Sequence, residues 1–152
     1  MSVSLLELSK YPLPPFLEGK FTQLEYFKWL RNKAHGLLKR DKKRGKPYAA
    51  TATKSAYQKE IHEAIMDGGE RDPYTGETLK WDLIKKWDTS REQPEGYKKK
   101  FGLMPTVDHV TADALNFEIC SFRINEAKAD LTPREFVELC RKVARYRSRK
   151  KE

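Results

Sequence analysis

Leu24, Phe27, Leu30, Ala34, Leu37 and Leu38 recur at helical spacing while Lys28, Arg31 and Lys33 take the other faces, which predicts a helix reaching about residue 40. Its start is written in Thr22-Gln23-Leu24-Glu25, where the threonine can bond an orphan amide and the glutamate can reach back. Tyr57, Ile61, Ala64 and Ile65 predict a second helix, opened by a weaker box at Ser55 and Gln58 and closed by Gly68-Gly69. Ahead of both, Pro12, Pro14 and Pro15 read as an irregular start. After the turn Asp72-Pro73-Tyr74-Thr75-Gly76-Glu77, the stretch 81–87 can form a short amphipathic helix, and the polar residues 88–100 read as a mobile loop.

The period then changes. Leu103, Val107 and Val110, followed by the alternation Phe117-Glu118-Ile119-Cys120, predict two short strands around a turn at 111–116. A helix over about 121–128 carries Asn125, and Thr132-Pro133-Arg134-Glu135 is the strongest helix start in the chain. Phe136, Leu139, Cys140 and Val143 are expected as the buried stripe of that last helix, whose end from Arg141 through Arg145, Arg149 and Lys151 is basic. The fold class expected is α+β in one unit, a helical and basic region over 1–70 packed on residues 71–152. Tyr74, Trp81 and Trp87 are expected to brace it as core aromatics.

Charge narrows the function classes. Across 152 residues, 31 Lys+Arg against 22 Asp+Glu leave a formal +9, which points to a polyanionic partner, with nucleic acid first. Six of the eight residues 39–46 are basic: Lys39, Arg40, Lys42, Lys43, Arg44 and Lys46. Gly45 and Pro47 end any helix there, so the run is expected as a flexible or turning surface segment that contacts phosphate. Membrane spanning would take a run of about 18 apolar residues, and the chain has none. No basic, apolar and cleavage-site sequence opens it, and a cytoplasmic protein is expected. The two cysteines, Cys120 and Cys140, form no CxxC pair, which argues against a disulfide framework and a structural zinc; both are expected as buried thiols.

One constellation speaks about chemistry: Asp108-His109, Asn116, and Asn125 with Lys128 one helical turn later. Hydrolysing a phosphodiester needs a deprotonated water, a cation for the charge growing on phosphate and leaving oxygen, and groups that hold these in line. His109 can serve as the neutral base. Asp108 and Asn125 offer the oxygen ligands that a hard cation prefers, and Asn116 can bond across the hairpin to fix the backbone carrying His109. Lys128 can meet a phosphate. Adjacent residues of a strand face opposite ways, so Asp108 and His109 can share a site only where the strand bends or ends.

Val107-Asp108-His109-Val110, Asn116 and Asn125-Glu126-Ala127-Lys128-Ala129-Asp130-Leu131-Thr132 together resemble the HNH, or ββα-metal, endonucleases, in the variant whose last motif residue is asparagine. The resemblance covers roughly residues 72–140, with the Asp72 turn standing where many members carry Cys-x-x-Cys-Gly. It implies a carboxy-terminal ββα-metal module acting as a DNA endonuclease. In that module His109 is the general base, Asn116 the orienting residue, and Asp108 and Asn125 the ligands of Mg²⁺ or Mn²⁺. Two other readings stay open, a nucleic-acid-binding module of the same shape without turnover and a nuclease directed at RNA. Oligomeric state is open as well, and a homodimer is one way to cut both strands.

Overall fold

The computed structural model describes residues 3–87 and 92–150. Ser4 caps α1 (Leu5–Lys10), its side chain accepting from the Glu7 amide while Glu7 reaches back. The opening is therefore helical where an irregular start was expected; the signal, Ser-x-x-Glu at positions 4–7, was present but outweighed by the prolines that follow. Thr22 and Glu25 form the predicted capping box of α2 (Gln23–Lys43).

That helix runs well into the basic segment, so the expectation of a flexible run over 39–46 is corrected. Residues 39–43 are helical, and the chain turns only at 44–46, where Gly45 takes a φ of 70°. The buried stripe of α2 continues from Leu30, Ala34 and Leu37 to a fourth position filled by Asp41. A hydropathy pattern ends at Leu37 because the next inward residue is an acid.

α3 (Lys54–Gly68) is capped two residues before the expected Ser55: Thr53 accepts from the Ala56 amide, and Gln58 is buried with Tyr57, Ile61, His62 and Ile65. The helices α2 and α3 pack on each other, and Tyr26, Phe27, Leu30, Tyr57, Ile61, Ile65, Leu79 and Trp81 fill the space between them. The Trp81 indole donates to Gly69 O at 2.7 Å, as a buried indole must find an acceptor.

The stretch Trp81–Lys86 is a 3₁₀ helix, and α4 (Tyr97–Lys100) is a single turn inside the expected loop, whose residues 88–91 lie outside the described residues. Leu83, Phe101 and Met104 form a satellite core with Trp87, Tyr97 and Phe122. Strands β1 (Pro105–His109) and β2 (Phe117–Ser121) pair antiparallel, Val107 opposite Ile119 and His109 opposite Phe117. Ser121 then caps α5 (Phe122–Lys128) directly, accepting from the Ile124 amide.

Thr132 and Glu135 cap α6 (Pro133–Arg149), where the expected buried stripe is not made. Only Phe136 is buried, edge-on to Tyr74; Leu139, Val143 and Tyr146 are 47, 54 and 57% exposed, and Cys140 is exposed too. Past its first turns the apolar stripe of this helix is left about half exposed. The fold is thus mixed α+β, mostly helical with one two-stranded antiparallel sheet. Val107 and Ile119 belong to the same core as the amino-terminal helices. Among the described residues no helix is long and apolar enough to cross a membrane.

Candidate active site at the end of the hairpin

Alternation along β1 sends its side chains to two environments. Val107 and His109 face α2 and α3, where the His109 ring meets Phe117 edge-on at 5.1 Å and Phe117 in turn lies 5.7 Å from the Tyr57 ring. Thr106 and Asp108 face α5, where Asn125 Nδ2 donates to Thr106 Oγ1 at 3.2 Å and Lys128 Nζ lies 3.0 Å from Asp108 Oδ2. The two groups meet because β1 ends at His109. Asp108 and His109 thus line one cleft of about 540 Å³, together with Asn125, the end of α2 and residues 129–132.

Asp108 and Asn125 suit a hard divalent cation in kind. Asp108 Oδ2 is buried and, among the described residues, makes no hydrogen bond beyond its ion-pair contact, and the Asn125 amide, donating to Thr106 through nitrogen, turns its oxygen away from that bond. Among the described residues no three His, Cys, Asp or Glu side chains gather as a cage, so a cation here would complete its shell with phosphate oxygens and water. Lys128 lines the same cleft, but it is 3% exposed, donates to Leu131 O at 2.8 Å and balances Asp108, so its ammonium is already committed to protein partners.

His109 Nε2 lies 2.8 Å from Asp41 Oδ2, on a helix 68 positions upstream, and the Tyr57 hydroxyl donates to the same oxygen at 2.7 Å. Burial first, and then the bond and charge of Asp41, push the Tyr57 phenol well above its ordinary range, so it stays a donor. The Tyr48 phenol is pushed up likewise, by burial and then by Asp41. Asn116 bonds across the loop as expected: its side-chain oxygen accepts from Thr111 N at 3.2 Å and Thr111 Oγ1 at 3.3 Å, while Val110 N donates to its carbonyl.

The turn at 72–76 is held by a carboxylate. Asp72 is 1% exposed, with Oδ1 accepting from the Tyr74 and Thr75 amides at 2.8 Å and Oδ2 from the Ser121 amide at 2.7 Å. Burial alone would raise its pKa, but the backbone amides of Ser121, Thr75 and Tyr74 outweigh it and hold the carboxyl below its ordinary value. This one side chain ties the turn to the junction of β2 and α5, and so fixes the hairpin relative to the helix bearing Asn125.

The basic run is divided by its helix. Arg40, Arg44 and Lys46 line the cleft beside His109, whereas Lys39, Lys42 and Lys43 are exposed and do not. The sequence places Asp72 in a turn without giving its carboxylate a role, and it gives Asp41 none. The signals were an acid in helical phase with Leu30, Ala34 and Leu37, and an aspartate opening a Pro-Tyr-Thr-Gly turn. No family model, curated protein or solved structure matches this chain.

Proposed function

We propose that this protein is a metal-dependent DNA endonuclease of the HNH, or ββα-metal, type, with His109 as general base and one divalent cation, Mg²⁺ or Mn²⁺, on Asp108 and Asn125. The observation that supports this most is the shared cleft: an imidazole, a carboxylate and an amide line one concave surface walled by Arg40, Arg44 and Lys46. A strand–strand–helix unit carries them in the order the resemblance requires.

Arg40, Arg44 and Lys46 draw the phosphate backbone into the cleft without reading sequence. His109 takes a proton from water at its free ring nitrogen as the water oxygen attacks phosphorus and the bond to the 3′ oxygen breaks. That leaves a 5′ phosphate and a 3′ hydroxyl, the leaving oxygen being protonated from solvent. When bound, the cation supplies positive charge against that growing on the phosphate and the 3′ oxygen. Asn116 keeps the 110–116 loop closed, so that His109 is held at the strand end.

The test is cleavage of supercoiled plasmid with and without Mg²⁺ or Mn²⁺, comparing the wild type with His109→Ala. Divalent-dependent nicking or linearisation, lost in His109→Ala, is expected. Salt-sensitive binding without cleavage, or cleavage of matched RNA only, would replace this reading with the binding module or the RNA nuclease.

A further inference from the structure

We propose that Asp41 is a positioning residue for His109, so that the amino-terminal helical region completes the active site that the hairpin and α5 begin. The inference rests on the nuclease reading above and assigns a role that the HNH-like motif does not contain.

Asp41 is fully buried, and among the described residues its one ionic contact is the His109 ring at 2.8 Å. Its Oδ2 takes the Tyr57 hydroxyl and His109, while Oδ1 makes no hydrogen bond among the described residues. A carboxylate placed only to fill a core is a poor choice, because desolvating it is costly and one oxygen is left unsatisfied. Its position makes chemical sense once the imidazole carries charge.

An ionised carboxylate can only accept, so the ring proton sits on His109 Nε2 and the lone pair on Nδ1. Nδ1 makes no hydrogen bond among the described residues. The ring is held from two further sides, edge-on by Phe117 and at 6.3 Å by Tyr48. When Nδ1 takes the water proton, the imidazolium finds its counter-ion already in place and shielded from water. Tyr57 holds the other end of the relay and keeps the carboxylate from turning.

The experiment uses the full chain. In ¹⁵N-histidine spectra at alkaline pH, with the His109 signals assigned by their loss in His109→Ala, the Nε2–H tautomer is expected; the Nδ1–H tautomer would overturn the proposal even if Asp41→Asn does not fold. In plasmid cleavage, Asp41→Asn is expected to lower kcat by at least about 10²-fold with KM within about twofold, since an amide holds the ring but offers no counter-charge. A kcat equal to wild type would also overturn it. If His109→Ala is inactive while Asp41→Asn is not, the role of Asp41 alone falls. If His109→Ala cleaves like wild type, the nuclease reading falls and takes this role with it.

Discussion

Lys128 Nζ lies 3.0 Å from Asp108 Oδ2, and the two side chains are only 4 and 12% exposed. A strand carboxylate and a helix ammonium thus neutralise each other at the edge of the cleft. Lys128→Met should strand the Asp108 charge and cost about 3–5 kcal/mol, because removing one partner of a buried pair leaves the other without compensation. Adding Asp108→Asn to it should recover most of that loss. Urea unfolding of the four members of the cycle measures the coupling; a value below about 0.5 kcal/mol would show the pair to be incidental.

Asp72 makes stability sensitive to acid. Because its folded pKa lies below the unfolded value, its contribution is complete above about pH 4 and disappears as pH falls through the folded value. Asp72→Asn should lose roughly 2–3 kcal/mol at pH 7, where the Ser121 amide would face a donor, and should lose less than wild type between pH 7 and pH 3. Urea midpoints at the two pH values decide it: equal slopes with pH would rule out this origin.

Two neighbouring glycines provide an internal control. A Cβ on Gly69 would lie 2.7 Å from Ile65 O and 2.9 Å from Phe16 Cζ, whereas one on Gly68 would meet nothing within 4 Å. Gly69→Ala is expected to cost about 1–3 kcal/mol by pushing apart α3 and the Phe16 ring. Gly68→Ala should be neutral or gain up to about 1 kcal/mol from helix propensity. Thermal melts of both variants, run together, would contradict this packing if they shifted alike.

The thiols should differ sharply. Cys120 is fully buried and its pKa is pushed up to about 12, first by burial, whereas Cys140 sits on the exposed side of α6. An aromatic disulfide reagent should titrate one thiol in native protein and two in denaturant, with Cys140→Ser abolishing the native reaction. Two fast thiols in the folded state would place Cys120 wrongly.

Much of the fold was legible because it rests on short-range chemistry. The Thr22 and Thr132 boxes start α2 and α6 where their Thr-x-x-Glu patterns stand, and alternation from Phe117 to Cys120 marks β2. Phe136 is buried as its periodicity implies, but Leu139 and Val143 share the same stripe and remain half exposed. Periodicity shows that a helix has an apolar face and says nothing of whether another element arrives to cover it.

The same division runs through the candidate site. Local sequence determined the hairpin, the capped helix after it, and the grouping of Asp108, His109 and Asn125 at a strand end and on the next helix, since all depend on residues within about 20 positions. Tertiary structure alone decided which partners those groups meet. It brought Asp41 to His109 across 68 positions and Asp72 to Ser121 across 49, and it closed Lys128 onto Asp108. A buried carboxylate is tolerated only where donors converge on it, and that convergence exists only when distant elements pack.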